Sequence, residues 1–164
     1  KEASGTGNMK FMMNGAVTLG TMDGANVEIY DLVGGENIYI FGMRADTVES
    51  MYREGTYRPM NIFESNAEIK KAMGQLIDGT LFPHEPLALQ ELYHTLLVGE
   101  HGGMADSYFV LKDFGSYSMA NRRMMDDYQN RDKWLRMAVV NTAKSGYFSS
   151  DRTVREYNDR IWHI

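Results

Sequence analysis

The sequence contains no cysteine. This absence excludes disulfide bonds and thiolate metal sites, and it is consistent with a reducing compartment. No apolar run approaches the length that spans a bilayer. Together these absences predict a soluble, cytoplasmic protein without a membrane partner.

Long runs of one charge are also missing. Lys and Arg number 17 against 22 Asp and Glu, which gives a formal net charge of −5. A weakly acidic chain of mixed charge argues against a nucleic-acid partner or an anionic membrane. With 164 residues, of which 43% are hydrophobic, the chain is long enough to bury a core, and one compact unit is predicted.

Short runs of branched and aromatic residues predict strands at residues 16–20, 37–42 and 107–111. The first two runs are almost uniformly apolar, which is typical of parallel strands covered on both faces. Residues 24–35 between them can form a short helix. The sequence therefore predicts a strand-helix-strand unit and an α/β fold.

Helices are predicted through most of the remaining chain. Asp46 with Glu49 and Ser65 with Glu68 have the spacing of capping boxes, in which side chains satisfy free backbone N–H groups at a helix start. Further helix starts are predicted at Pro86, at Asp113 and after Ser149 and Ser150. The apolar residues of three of these helices recur on one side at helical spacing: Ile69, Ala72, Met73, Leu76 and Ile77, then Leu89, Leu92, Tyr93, Leu96 and Leu97, and finally Val154, Tyr157 and Ile161.

Three predicted strands are few for so many helices, because a parallel sheet covered on both faces has about five or six strands. The chain also begins within a glycine-rich turn, and such turns usually leave a strand and enter a helix. We therefore expect the chain to be the C-terminal piece of a longer polypeptide whose sheet begins upstream.

The glycine-rich turn is itself a candidate binding site. Gly5, Thr6 and Gly7 precede a segment that can start a helix, where exposed N–H groups and the helix dipole suit a phosphate or sugar hydroxyls. Lys10 follows Gly7 by about one turn, so its amine can return toward the same ligand. Neither the P-loop nor the dinucleotide-binding glycine pattern fits this stretch. Spacing alone favours the interpretation of Lys10 as a solvated surface charge.

The neighbours of Lys10 in sequence favour a chemical role. Met9, Phe11, Met12 and Met13 flank it, and a lysine among large apolar side chains is expected to be partly desolvated, with a lowered pKa. The neutral amine could then form a Schiff base with an aldehyde. A Schiff-base lysine beside a phosphate-binding turn is what pyridoxal phosphate requires.

At these residues the chain closely resembles the α-glucan phosphorylases, which act on glycogen, starch and maltodextrin. The resemblance covers essentially the whole chain, more loosely between Tyr52 and Asn130. The matching segments are Glu2–Phe11, Asn14–Ala16, Gly20–Glu28, Phe41–Arg44 and Ser145–Thr153, with Tyr157, Ile161 and Trp162 following at the family's spacing.

The resemblance implies a cofactor site on the opening stretch. Lys10 corresponds to the lysine that holds pyridoxal 5′-phosphate covalently, and the backbone of Thr6 and Gly7 would bind the cofactor's 5′-phosphate. In the family this phosphate assists by proton exchange with the substrate phosphate, and the imine takes no part in the reaction.

The resemblance also implies the substrates. Glu2, Ser4 and Gly5 match positions that contact hydroxyls of the transferred glucosyl unit. Inorganic phosphate would attack an α-1,4-glucan and release α-glucose 1-phosphate, so this would be a glycosyltransferase. The family's other phosphate-site cations would lie upstream of this chain. The fold implied is part of a GT-B-type, Rossmann-like C-terminal domain, in an enzyme that forms a homodimer at full length.

Two other hypotheses remain open beside a phosphorylase that is active only as a full chain. One is a short module that binds a sugar phosphate or pyridoxal phosphate without turnover. The other is a structural α/β domain in which Lys10 never meets a cofactor.

The remaining polar residues are expected to support structure. Asp23, Gly24, Asn26 and Glu28 are typical of a turn and helix start next to the site. Asp151 and Arg152 are interpreted as a helix cap and a surface charge, and the four histidines, His84, His94, His101 and His163, have no metal-ligand spacing.

Overall fold

A computed structural model describes residues 6–85, 87–99 and 102–164 of the chain. The chain divides into two compact units, one comprising the residues up to Arg44 together with Tyr117–Ile164 and the other Ala45–Ser116. The single unit predicted from the length is therefore wrong. The physical reason is that the apolar residues bury themselves in two separate clusters, one in each unit.

The first unit contains both strands of the described chain. Its elements are α1 (Thr6–Met13), β1 (Leu19–Thr21), α2 (Ala25–Val33), β2 (Tyr39–Phe41), the end of α7 (Val110–Gln129), α8 (Arg131–Lys144) and α9 (Ser150–Tyr157). A 3₁₀ turn, Ser145–Phe148, joins α8 to α9, and a π-helical turn, Asn158–Trp162, follows α9.

The two strands are parallel, with Leu19 opposite Tyr39 and Thr21 opposite Phe41. Parallel neighbours need a crossover connection, which α2 supplies. The strand-helix-strand unit and the α/β class are thus confirmed, although each strand is only three residues long.

The core of the first unit forms where α1, α2 and the residue just before β2 meet. Met12, Ile29, Val33 and Ile38 are its buried residues. Ile29 and Val33 are four residues apart and therefore lie on one face of α2. Gly15, at φ +79°, turns the chain after α1, and a Cβ there would lie 3.4 Å from the Thr142 hydroxyl oxygen, so glycine allows this turn to pass close to α8.

The second unit is helical in its described part. It consists of α3 (Ala45–Glu54), α4 (Pro59–Ser65), α5 (Ala67–Gly74), α6 (Gln90–Leu97) and the start of α7. Ile69, Met73, Leu97 and Leu111 form its buried cluster. The predicted stripes of α5 and α6 therefore supply three of these four core residues. The apolar stripe predicted near the C-terminus does not form a core, because Val154, Tyr157 and Ile161 are exposed.

The strand predicted at residues 107–111 is wrong. Asp106 and Phe109 have φ values of 45° and 58°, and α7 begins at Val110. Positive φ is incompatible with an extended strand. An apolar run of this length does not by itself distinguish a strand from a turn followed by a buried helix start.

A buried carboxylate determines where α7 begins. Asp106 is 2% exposed, and its two carboxylate oxygens accept the N–H groups of Val110 and Leu111, each at 2.8 Å. Its Oδ2 also accepts the Tyr57 hydroxyl at 2.6 Å. The cap predicted at Asp113 is wrong, because that residue lies within the first turn of α7.

Two other predicted caps are displaced by the structure. Asp46 lies inside the first turn of α3 and does not precede it. At α5 the capping side chain is Asn66, one residue after the predicted Ser65, and its oxygen accepts the N–H groups of Glu68 and Ile69. Asn and Ser are equally favourable caps, so residue type does not distinguish Asn66 from Ser65. Asn66 is the cap because its side chain reaches the N–H groups of the first turn.

The helix predicted after Ser149 and Ser150 is confirmed as α9, but its cap is Ser149, and Asp151, interpreted as a cap, lies in the first turn. The Ser149 side chain accepts the N–H of Arg152 at 3.3 Å, and α9 begins at Ser150. Pro86, predicted at another helix start, is outside the described residues. No helix in the described ranges combines the length and the apolar character needed to cross a membrane.

Candidate active site

The candidate site is built on α1, which starts at Thr6 and carries Lys10. Residues three and four apart share a face of a helix, so Lys10 lies on the same side as Gly7 and Thr6. Its Cα is about 6 Å along the helix axis from that of Thr6. The structure therefore brings three of the predicted site residues together at one helix start. Glu2, Ser4 and Gly5, the other three, lie outside the described residues.

The environment of Lys10 differs from the prediction. Lys10 is exposed, Phe11 and Met13 are 67% and 58% exposed, and Met12 is fully buried. The helical period turns Met12 toward Ile29 and Val33 while the neighbouring side chains point elsewhere. The expected desolvation of Lys10 is therefore wrong, because neighbours in sequence on a helix are not neighbours on one face.

The described residues fit a ligand that carries both a phosphate and an aldehyde. The N–H groups of the first turn of a helix point toward its start, where with the helix dipole they attract an anion. A Cβ added at Gly7 would meet no atom of residues 6–85, 87–99 or 102–164 within 4 Å, so these residues leave room beside the helix start. The exposed primary amine of Lys10 on the same face can reach an aldehyde carbon placed there.

A hydrogen-bonded network links the start of α1 to the loop after β1. Nδ2 of Asn8 donates to Oδ1 of Asn26 at 2.8 Å, and Nδ2 of Asn26 donates to the carbonyl oxygen of Thr21 at 3.0 Å. The Thr21 hydroxyl in turn donates to Oδ1 of Asp23 at 2.8 Å. Sequence analysis predicted that Asp23 and Asn26 lie beside the site, but no sequence pattern indicated a structural role for Asn8. Only the fold brings Asn8 to a residue 18 positions away.

Arg152 is part of a local cluster, which corrects its interpretation as a plain surface charge. Its guanidinium lies 3.7 Å from the centre of the Tyr147 ring, and it donates to the Tyr147 carbonyl and to the Glu156 carboxylate. Through these contacts Arg152 stabilises the packing of the 3₁₀ turn against α9.

Metal-binding side chains do not converge in the part of the chain that the structure describes. Over those residues no group of three His, Asp or Glu side chains is placed to hold an ion. His101 lies outside them.

Known proteins with related sequences identify the family. The sequence profile of the Phosphorylase family, described as carbohydrate phosphorylase, matches residues 1–164. The chain is 51% identical over 164 residues to the glycogen phosphorylase of Bacillus subtilis. The alignment covers 100% of this chain and 20% of that protein. It is 46% identical over 165 residues to the maltodextrin phosphorylase of Streptococcus pneumoniae, covering 100% of this chain and 21% of that protein.

A human relative has the same relationship. The brain form of human glycogen phosphorylase is 41% identical over 163 residues, covering 99% of this chain and 18% of that protein. The chain thus spans about one-fifth of the length of these curated relatives. Because the family profile extends over all 164 residues, this protein belongs to the carbohydrate phosphorylase family.

Proposed function

We propose that this chain is the C-terminal part of an α-glucan phosphorylase. Such a glycosyltransferase transfers the non-reducing-end glucosyl unit of an α-1,4-glucan to inorganic phosphate and releases α-glucose 1-phosphate and the shortened glucan. The names of its relatives, glycogen phosphorylase and maltodextrin phosphorylase, support this reaction and this substrate class. In this proposal the 164 residues belong to a GT-B-type domain of a cytoplasmic enzyme that is a homodimer at full length.

The proposed cofactor is pyridoxal 5′-phosphate, held covalently through Nζ of Lys10. When bound, it supplies a second phosphate group that exchanges a proton with the substrate phosphate. The observation that carries the proposal is the common face of Thr6, Gly7 and Lys10 at the start of α1. There the first-turn N–H groups of Thr6 and Gly7 bind phosphate oxygens while Lys10 fixes the other end of the ligand.

The substrate side of the site is assigned to the residues just before α1. Glu2, Ser4 and Gly5 bind hydroxyls of the transferred glucosyl unit, so the sugar-binding residues directly precede the phosphate-binding residues in sequence. Two phosphate groups close together require positive charge. Lys10 is engaged with the cofactor, so the remaining cations come from other parts of the full polypeptide, and these 164 residues alone are inactive.

A phosphorolysis assay tests this function on the whole polypeptide that carries the sequence. Supplied with maltodextrin and inorganic phosphate, it is expected to form glucose 1-phosphate, and Lys10→Ala is expected to abolish that product. Lys144→Ala, which removes an exposed lysine at the end of α8, is the matched control and should retain activity.

The products distinguish the alternatives. Free glucose in place of glucose 1-phosphate would contradict phosphorolysis, and full activity of the Lys10→Ala variant would contradict the role of Lys10. Cofactor uptake without either product would favour a non-catalytic binding module. Neither uptake nor product would favour a structural domain.

A further inference from the structure

Asn26 is a polar side chain in an almost fully buried position, 5% exposed. A buried amide is costly unless its hydrogen bonds are made. Both ends of this amide are used: Oδ1 accepts from Asn8 at 2.8 Å, and Nδ2 donates to the Thr21 carbonyl at 3.0 Å. The side chain therefore acts as a bridge between two segments of the first unit.

The two segments it joins are those that matter for the candidate site. Asn8 belongs to the first turn of α1, between Gly7 and Lys10. Thr21 is the last residue of β1. In α/β folds, ligands bind beyond the carboxyl ends of parallel strands. The Asn26 amide thus ties the helix that carries Lys10 to the end of the strand where a ligand is expected.

The backbone is shaped to accommodate this bridge. A Cβ added at Gly20, the residue before Thr21, would lie 2.6 Å from Nδ2 of Asn26. Only a glycine lets β1 approach the amide this closely. At the α1 end of the bridge, both ends of the Asn8 amide make hydrogen bonds. Its Nδ2 donates to Asn26, and its Oδ1 accepts the N–H of Met9 at 3.0 Å.

We infer that Asn26 is a positioning residue which, through Asn8, holds the first turn of α1 so that its N–H groups face the cofactor phosphate and Lys10 faces the aldehyde. This inference rests on the proposed function. Asn26 itself contacts neither cofactor nor substrate. Its effect passes through Asn8 to the phosphate-binding turn.

The test compares two ligands in the whole polypeptide stripped of cofactor: pyridoxal 5′-phosphate and pyridoxal, which has the same aldehyde but no phosphate. A displaced first turn alters the contact between Lys10 and the aldehyde equally for both ligands, but it weakens phosphate contacts only for pyridoxal 5′-phosphate. In Asn8→Ala and Asn26→Ala we expect affinity for pyridoxal 5′-phosphate to fall about tenfold more than affinity for pyridoxal, the size of one lost buried hydrogen bond. The double variant should lose no more than the more affected single variant, since both changes break one bridge.

Asn37→Ala is the matched control. Nδ2 of Asn37 donates to the Val33 carbonyl at 2.7 Å, at the opposite end of α2 from Asn26. This variant should lower the thermal midpoint of the stripped protein while leaving the ratio of the two affinities within about twofold of wild type. If the control shifts the ratio equally, or if neither Asn8→Ala nor Asn26→Ala shifts it, the positioning role is overturned.

Two further outcomes keep the inference and the proposed function apart. If Asn26→Ala does not fold, Asn8→Ala decides alone, because it cuts the same bridge from the helix side and leaves the Asn26 bond to Thr21 in place. If the wild-type protein binds pyridoxal 5′-phosphate but not at Lys10, or does not bind it, the proposed function fails and the inference fails with it. If pyridoxal 5′-phosphate binds at Lys10 and the two asparagine variants keep the wild-type ratio of affinities, only the positioning role is refuted.

Discussion

The phenolic oxygen of Tyr39 lies 2.7 Å from Oδ2 of Asp127 and donates a hydrogen bond to it across 88 positions of sequence. Nζ of Lys133 lies 2.6 Å from the other oxygen of the same carboxylate. The Tyr39 ring also stacks on Trp134. One carboxylate therefore joins β2 to the junction between α7 and α8.

Removing the Tyr39 hydroxyl should destabilise the first unit. Tyr39→Phe retains the ring packing but removes the hydroxyl that contacts Asp127 and, at 3.7 Å, the sulfur of Met137. We expect the free energy of unfolding, measured by urea denaturation, to fall by about 1 kcal/mol. Tyr128→Phe is the control, because its half-exposed ring also contacts Trp134. Its effect should stay within about 0.5 kcal/mol. Equal losses in the two variants would mean that the bond to Asp127 contributes nothing.

The same carboxylate should give stability a dependence on acid pH. The hydrogen bond from Lys133, followed by that from Tyr39, holds the pKa of Asp127 below its usual value. A lowered folded-state pKa contributes stability that is complete above the unfolded-state pKa, about 4, and is lost as the pH falls through the folded-state value. The difference in thermal midpoint between wild type and Asp127→Asn should therefore shrink below about pH 4. A difference that is constant from neutral to strongly acidic pH would contradict this linkage.

Asp106 should be among the most sensitive positions of the second unit. Asp106→Ala leaves the Tyr57 hydroxyl and two N–H groups at the start of α7 without their acceptor, and it places alanine at positive φ. We expect a loss of about 2 kcal/mol or more in the free energy of unfolding. Asp126→Ala, an exposed aspartate of the same helix, is the control and should change it by less than about 0.5 kcal/mol.

Asp106→Asn tests how much of this loss comes from the second carboxylate oxygen. Asparagine tolerates positive φ and keeps one acceptor oxygen, so it should cost less than alanine. A loss as large as that of Asp106→Ala would show that the second carboxylate oxygen, and with it the negative charge, is essential.

Much of the helical organisation follows from the sequence because it depends on local periodicity. Ile69 and Met73 are four residues apart and are buried, as the stripe of α5 predicts. The strand-helix-strand unit is equally local, since its strands flank α2 directly.

The features that escaped prediction depend on distant contacts. Asp106 caps α7 and also binds Tyr57, 49 positions away, so the run after it forms a turn and a helix where a strand was predicted. Lys10 is exposed because helical geometry, and not adjacency in sequence, decides which of its apolar neighbours packs inward. At the candidate site, sequence patterns indicate Thr6, Gly7 and Lys10, whereas the Asn8–Asn26 bridge emerges only from the fold.

Two glycines should respond oppositely to substitution by alanine. Gly20→Ala places a Cβ 2.6 Å from the Asn26 amide and should destabilise the protein by about 1–3 kcal/mol through overpacking. The Cβ of Gly7→Ala would have no atom of the described residues within 4 Å, and in a helix this substitution should keep or raise stability by up to about 1 kcal/mol. Under the proposed function the same methyl group intrudes on the phosphate, so Gly7→Ala should weaken binding of pyridoxal 5′-phosphate. Titration and thermal unfolding of both variants separate these effects.

The most direct test of the proposed function is to locate the cofactor chemically. The whole polypeptide that carries this sequence is treated with pyridoxal 5′-phosphate and sodium borohydride, and its peptides are then mapped by mass. We expect one phosphopyridoxyl group per chain, on Lys10, and none in Lys10→Ala, with weak or absent labelling of the 164-residue chain alone. An unlabelled Lys10 in a polypeptide that still converts maltodextrin and phosphate to glucose 1-phosphate would contradict the account.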